Sequence, residues 1–145
     1  MQLTSDLFQD TGFIPPAYTC KGPGTSPSLR IADIPAEAVS LALIMHDPDA
    51  PRGDFVHWLV WNIAPATGFI EEGMVPAASR QGTNGFGNVG YGGPCPPSGT
   101  HRYVFELYAL DTLLDVPDGA DRSTLETALA GHTVATARLT GLVSA

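Results

Sequence analysis

The chain has 145 residues, a length that fits one ordinary domain with a sizeable core, and we expect residues 1–145 to form a single domain. Its formal net charge of −8 reflects 15 acidic against 7 basic residues, without any cluster of Lys or Arg, so nucleic acid and anionic membrane surfaces are not expected partners. The 16 glycines and 13 prolines are too few for a disordered chain and predict many fixed turns.

The N-terminus and the cysteines provide evidence on the cellular compartment of the protein. Residues 1–6 lack the basic region and apolar stretch of a signal peptide, and no apolar run approaches the roughly 20 residues of a membrane span. We therefore expect a cytoplasmic protein with no transmembrane segment. Cys20 and Cys95 are too few for a disulfide scaffold and lack zinc-finger spacing, so two buried free thiols are favoured over a disulfide.

The first two thirds of the chain predict strands. Residues 1–37 are rich in Gly and Pro, with short apolar islands that indicate irregular edge strands. Val39–His46 predicts a central strand that ends at the Asp47-Pro48 break. Phe55–Ile63 is β-branched and aromatic on both alternating positions, the pattern of a strand covered on both faces. Residues 64–100 lack periodicity and predict a long ordered loop system with at most one short strand, usually a functional region.

The last third predicts one more strand, Arg102–Leu110, and then helices. Four side chains share one face of that strand by alternation: His101, Tyr103, Phe105 and Leu107. The Ser123–Glu126 segment has capping-box spacing and predicts a short helix that Gly131 ends, and His132–Leu142 is interpreted as a second short helix. Strands without helical crossovers predict a mainly β protein, an antiparallel β-sandwich with one or two short peripheral C-terminal helices.

Two proline-fixed loops carry most of the chemical information, and each lies beside a histidine-bearing strand. Asp47–Pro51 precedes the strand of His57, and Gly93–Pro97 precedes His101 and Tyr103. A carboxylate partner, Asp47 or Asp49, would raise the pKa of His57 and orient its ring. A backbone carbonyl as the partner of a core histidine is the simpler structural alternative.

The other polar and aromatic residues have simpler interpretations. Arg102 should point to the opposite face of its strand and form a structural ion pair with a carboxylate. His46 is next to the Asp47 loop and could support it, whereas His132 is expected to begin a helix. The large aromatic side chains are interpreted as packing groups: Trp58, Trp61, Phe105 and Tyr108.

Three functions are compatible with such a pocket. A metal site would use Asp47, Asp49, His57 and His101, although no short-spaced ligand motif occurs. A hydrolase would need Ser98 or Cys95 as the nucleophile, and neither lies in a Gly-x-Ser-x-Gly turn. Two imidazoles, a phenol and a loop amide match an anion pocket best. We expect no enzymatic activity, no metal and no cofactor.

Several motifs together resemble the phosphatidylethanolamine-binding protein family, in particular its short bacterial and archaeal branch, the Raf kinase inhibitor-like proteins. The resemblance spans most of the chain. The motifs are Tyr18–Gly22, Ser26-Pro27, Asp47–Pro51, His57-Trp58, Gly90–Pro97 and His101–Phe105.

The resemblance implies a β-sandwich with a small pocket for phosphate-like groups, such as phospholipid head groups and phosphorylated peptides. The positions that match the family's pocket are Asp47, Ala50, His57, Gly93, Cys95, Pro96, His101 and Tyr103. It also implies, as an alternative, an interaction protein that inhibits a kinase or protease through the same pocket. The sequence leaves the oligomeric state open, with a homodimer as one alternative. Mammalian relatives have glycine where this chain has Cys95, a loop before His101 that is two residues longer, and an additional C-terminal helix near the pocket.

Overall fold

The computed structural model of residues 1–145 contains nine β-strands, one α-helix and one turn of 3-10 helix. The strands are β1 (Gln2–Thr4), β2 (Gly12–Phe13), β3 (Leu29–Ala32), β4 (Ser40–Asp47), β5 (Phe55–Ile63), β6 (Phe69–Ile70), β7 (Arg80–Gln81), β8 (Thr100–Leu110) and β9 (Thr133–Ser144). The α-helix is α1 (Arg122–Leu129), and the 3-10 turn is Pro16–Tyr18.

The strands form two sheets packed face to face. The smaller sheet has the order β1-β3-β6 and the larger has the order β2-β9-β8-β4-β5-β7. All neighbouring strands are antiparallel except β2, which pairs in parallel with the end of β9. A core cluster of 19 buried residues joins the two sheets, including Leu29 and Ile31 of β3 and Leu43 and Phe105 of the larger sheet. The predicted mainly β sandwich is confirmed.

The outer face of the larger sheet is also covered. There α1 and the segment before it pack Val116, Leu125 and Leu129 against Ile44 of β4 and Trp61 of β5. Both faces of β4 and β5 are therefore buried, because each lies between two apolar layers. This arrangement confirms the prediction from the two-sided apolar pattern of β5.

The three long strands lie where the sequence predicts them. β4 is shifted by one residue from the predicted Val39–His46, β5 has the predicted bounds, and β8 begins two residues earlier than Arg102. Between β5 and β8 the chain forms two strands of two residues each instead of at most one, namely β6 and β7. The rest of this segment is turns and loop.

The predicted second helix, His132–Leu142, is wrong. This segment forms β9, which pairs with β8 along almost its whole length. Its buried side chains, Leu139 and Val143, alternate toward the core with a period of two, and Thr and Val fit a pleated sheet better than a helix. His132 does not begin a helix either, since it lies in the turn before β9 with Nδ1 2.8 Å from a carboxylate oxygen of Asp111.

The predicted helix exists, but its cap differs from the expected capping box. α1 begins at Arg122, and Asp121 caps it by accepting hydrogen bonds from the Thr124 N–H (2.9 Å) and Thr124 hydroxyl (2.7 Å). Ser123 is therefore inside the helix. An aspartate three residues before the Thr124 N–H gives the same cap geometry as the Ser-based motif. The spacing alone therefore indicated Ser123 as the cap, whereas the cap is Asp121.

The expected free thiols are also wrong, because Cys20 and Cys95 form a disulfide and both residues are exposed. The two cysteines are 75 residues apart in sequence, but the loop before β8 passes beside the turn that follows the 3-10 helix. All peptide bonds are trans, including Ala50–Pro51. None of the helices combines the length and hydrophobicity required to cross a bilayer.

Candidate functional site

A hollow of about 180 Å³ opens at the end of the larger sheet where β4 ends and β5 and β8 begin. Antiparallel pairing places these three strand ends together, so Asp47, His57, His101 and Tyr103 converge although they are distant in sequence. Of the eight predicted site residues, seven line the hollow: Asp47, Ala50, His57, Cys95, Pro96, His101 and Tyr103.

The eighth residue, Gly93, does not line the hollow. It lies behind the wall, where a Cβ atom would come within 3.3 Å of the carbonyl carbon of Thr19 and 3.4 Å of the backbone nitrogen of Cys20. Because residue 93 has no side chain, the loop can pack closely against the turn that carries Cys20. Gly93 therefore supports the position of the wall and is not among the lining residues.

Asp47 and His101 form a buried pair at the base of the hollow. The Nδ1 of His101 is 2.6 Å from Oδ2 of Asp47, and Oδ1 of Asp47 accepts a hydrogen bond from the Asp49 N–H at 2.8 Å. An ionised carboxylate only accepts, so Nδ1 of His101 carries the hydrogen and the ring orientation is fixed. The Nε2 atom of His101 remains available.

Of the two kinds of partner that the sequence leaves open for His57, a carboxylate or a backbone carbonyl, the structure has the carbonyl. Its Nδ1 donates to the backbone carbonyl of Gly92 at 2.6 Å, so neither Asp47 nor Asp49 holds it. Burial lowers the pKa of His57, and the Gly92 hydrogen bond and the Asp47 charge oppose that shift only in part. The raised pKa that a carboxylate partner would cause is therefore not found. With Nδ1 occupied, Nε2 is the free nitrogen of this ring too.

Asp49 faces away from the histidines and binds Arg102. Both its oxygens accept from the Arg102 guanidinium at 2.8 and 3.0 Å, and the Arg102 backbone N–H donates to the same carboxylate. These hydrogen bonds lower the pKa of Asp49 to about 2. The expected structural ion pair of Arg102 is thus present, and it fixes the Asp47–Pro51 loop to the start of β8.

Aromatic rings surround His57 on three sides. The ring centroids of Phe55, Tyr103 and Phe86 lie 5.0, 5.1 and 5.7 Å from that of His57. Burial, with the nearby Asp47 charge, raises the pKa of Tyr103, so its phenol keeps the proton and can donate a hydrogen bond. The hollow therefore combines a polar base with an apolar wall.

Four lining residues were missed by the sequence reasoning: Pro51, Phe55, Phe86 and Pro97. Pro51, Phe55 and Pro97 belong to the segments already singled out, and their adjacency to the motifs was the available signal. Phe86 is 52% exposed in a glycine-rich turn, where no periodicity marks its direction. Asn84 holds this turn, accepting from the Phe86 N–H at 2.9 Å.

Other histidine-based expectations find no support in the geometry. His46 lies on the opposite face of β4, where its ring nitrogens contact Asp54 (2.7 Å) and Glu106 (3.1 Å), so it does not support the Asp47 loop from within the pocket. The four residues of the metal alternative do not converge, because Asp49 binds Arg102, and no group of three or more His, Cys, Asp and Glu side chains is arranged to hold a metal ion.

An open two-sheet β-sandwich with a histidine-lined hollow at one sheet end defines the class of protein. The family model for phosphatidylethanolamine-binding proteins matches residues 4–144, and the chain belongs to this family. A UPF0098 protein of Methanothermobacter thermautotrophicus is 48% identical, covering 98% of this chain and 97% of the relative. A UPF0098 protein of Chlamydia trachomatis is 44% identical, covering 97% of each chain.

Two crystal structures are similar over almost the whole chain. A phosphatidylethanolamine-binding protein homologue from Chlamydia trachomatis has a TM-score of 0.95 and 42% identity, covering 99% of this chain and 97% of that chain. YbcL of E. coli, described as a member of the mammalian family, has a TM-score of 0.92 and 31% identity, with coverages of 99% and 98%. The resemblance inferred from the motifs is therefore confirmed at the level of family and fold.

Proposed function

We propose that this protein is a non-enzymatic binding protein whose hollow holds the phosphate group of a small ligand or a phosphorylated peptide. The proposal rests on one observation. His57 and His101 each form a hydrogen bond to a protein oxygen through Nδ1, so Nε2 of both rings remains free for the hollow that they share with Tyr103. Two imidazoles and a phenol form a convergent set of hydrogen-bonding groups for an oxyanion.

The size and lining of the hollow support a small anionic group as the bound part. A volume of about 180 Å³ is below the roughly 300–1,000 Å³ of a site that encloses a whole drug-sized ligand. A phosphate fits against the polar base, whereas the group esterified to it must extend out of the hollow over the apolar rim of Pro51, Phe55 and Phe86. A phosphate ester is therefore a better match than a large polar molecule.

Proton transfer accompanies binding in this proposal. Burial lowers the pKa of His57, so the free protein at neutral pH carries a neutral ring whose Nε2 can only accept. An anion favours the protonated ring, and binding is then coupled to proton uptake by His57. Affinity for an anion of constant charge, such as sulfate, should rise as the pH falls from 7.5 to 5.5.

The arrangement of the nucleophiles supports binding over hydrolysis. Cys95 is bonded to Cys20 and offers no thiolate, and Ser98 is exposed outside the lining of the hollow. A hydrolase of this kind needs a nucleophile within hydrogen-bond reach of a base, and neither candidate meets that requirement.

Inorganic phosphate titrated into the wild type and His101→Ala, followed by two-dimensional NMR, tests the proposal. Loss of a hydrogen bond to a charged group costs about 1.5–3 kcal/mol, which is roughly a 10- to 150-fold loss of affinity. His132→Ala is the matched control, because His132 also pairs with an aspartate, Asp111, but lies outside the hollow. Equal affinity in all three proteins would remove His101 from the site.

A further inference from the structure

The segment Gly93–Ser98 carries one wall of the hollow, Cys95–Pro97, and makes few hydrogen bonds. No backbone N–H in this segment donates a hydrogen bond to another backbone group, and only one of its carbonyls, that of Pro94, accepts one, from the Cys20 N–H at 3.0 Å. Three of the six residues are prolines, which lack a donor. Besides the packing of the buried Pro94 and Pro96, the Cys20–Cys95 bridge and this one hydrogen bond tie the wall to the fold.

The other end of the bridge is well anchored. Thr19 and Gly22 close tight turns on either side of Cys20, with hydrogen bonds of 3.1 Å to the carbonyls of Pro16 and Thr19. Lys21 donates from Nζ to the carbonyl of Ser144 at the end of β9 (2.9 Å). Because the disulfide links Cys95 to this anchored turn, it also restrains Cys95, which lines the hollow.

Both cysteines are exposed, so a thiolate from solution can approach the bridge. Exposed disulfides exchange with thiols more readily than buried structural ones. We propose that the Cys20–Cys95 bridge is a thiol–disulfide exchange site for a dithiol reductant, and that its state controls how tightly the hollow holds its ligand. This inference rests on the proposed function of the hollow.

A dithiol reduces the bridge in two exchange steps. One thiolate of the dithiol attacks a sulfur of the bridge and forms a mixed disulfide, while the other cysteine leaves as a thiolate. The second thiol of the reductant then attacks the mixed disulfide and closes its own disulfide. Two electrons pass from the dithiol to the protein, and with two protons Cys20 and Cys95 become thiols.

Reduction should loosen one wall and leave the base of the hollow intact. His57, His101 and Tyr103 lie on β5 and β8, whose positions depend on the sheet and not on the bridge. The reduced wall must be ordered again when a ligand binds, and that ordering opposes binding. We expect the reduced protein to bind inorganic phosphate roughly threefold to tenfold more weakly than the oxidised protein.

The test compares oxidised protein, protein reduced by dithiothreitol, and the double variant Cys20→Ser/Cys95→Ser. Thiol titration without denaturant should show two thiols after reduction. The reduced protein and the double variant should bind phosphate equally weakly, and dithiothreitol should not change the variant's affinity. The residue-20 amide, whose N–H donates to the Pro94 carbonyl, should exchange faster in both than in the oxidised wild type, while the β8 amides stay protected.

Three results would overturn the inference: a bridge that dithiothreitol does not reduce in the folded protein, equal phosphate affinity in both redox states, or unchanged exchange of the residue-20 amide. Failure of the proposed function is distinguishable, because then neither redox state binds phosphate or sulfate. In that case exchange of the residue-20 amide alone decides whether the bridge holds the segment, and unchanged exchange rejects the redox inference as well.

Discussion

His57 makes a pH-dependent contribution to stability that can be derived from its surroundings. Burial lowers its pKa in the folded protein below the ordinary value of 6.5. As the pH falls through 6.5, the unfolded chain therefore binds a proton before the folded chain does. The stability that the neutral ring contributes is fully present above that pH and is lost progressively below it.

We expect the free energy of unfolding of the wild type to decrease more between pH 7.5 and pH 5 than that of His57→Asn. The asparagine amide nitrogen lies close to the position of Nδ1 and offers an N–H to the Gly92 carbonyl, but it does not titrate. The difference between the two proteins removes the contributions of the other ionisable groups, which both proteins share. Urea unfolding at both pH values measures it, and parallel losses would contradict a lowered pKa.

Sequence reasoning could bring His57 and His101 to one hollow, but it could not assign their partners. Asp47 begins one proline-fixed loop at the end of β4, and β4 lies between β5 and β8, so which histidine it reaches depends on the register of β4 against both strands. The Gly92 carbonyl that holds His57 belongs to a loop 35 residues further along. A backbone acceptor has no residue type, so no pattern indicates it.

At the scale of elements, β9 shows why short mixed segments are misassigned. Val134, Ala135 and Leu139 have helical spacing, yet Leu139, Gly141 and Val143 have strand spacing in the same stretch. Isolated propensities differ by less than 1 kcal/mol per residue, so tertiary pairing decides. The long, two-sided strands β4, β5 and β8 have no competing periodicity, and the sequence predicts them to within two residues.

Gly141 marks where β9 packs most closely against the rest of the sandwich. A Cβ atom at this position overlaps the buried side chain of Ile14 and lies 2.9 Å from the ring of Phe8. Overpacking of a dense core costs about 1–3 kcal/mol. We expect Gly141→Ala to lower the free energy of unfolding by that amount in urea unfolding.

Gly68→Ala is the matched control, because the nearest atom to a Cβ there is the Ile31 carbonyl oxygen at 4.0 Å. Its backbone φ also lies outside the left-handed range. This variant should be close to the wild type in stability. If both alanine variants were equally stable, Ile14 and Phe8 would have to move aside at no cost, and the contact would not limit the fold.

At the scale of the whole molecule, the Cys20–Cys95 bridge closes a loop across a sequence separation of 75 residues that contains β3 to β7. Closing a loop of this length reduces the entropy of the unfolded chain and stabilises the fold by about 4 kcal/mol. That is a large part of the 5–15 kcal/mol typical of a domain. The sequence could not reveal the bridge, because cysteine number and compartment say nothing of distance in space.

We therefore expect Cys20→Ser/Cys95→Ser to unfold at a lower urea concentration, with a loss of about 4 kcal/mol relative to the oxidised wild type. The reduced wild type provides the control, since it has the same open loop without any substitution, and it should coincide with the double variant. A loss below about 1 kcal/mol in both would mean that the unfolded chain is already compact between residues 20 and 95. The bridge would then restrain only the wall of the hollow, because the rest of the sandwich would hold itself together through the core shared by its two sheets.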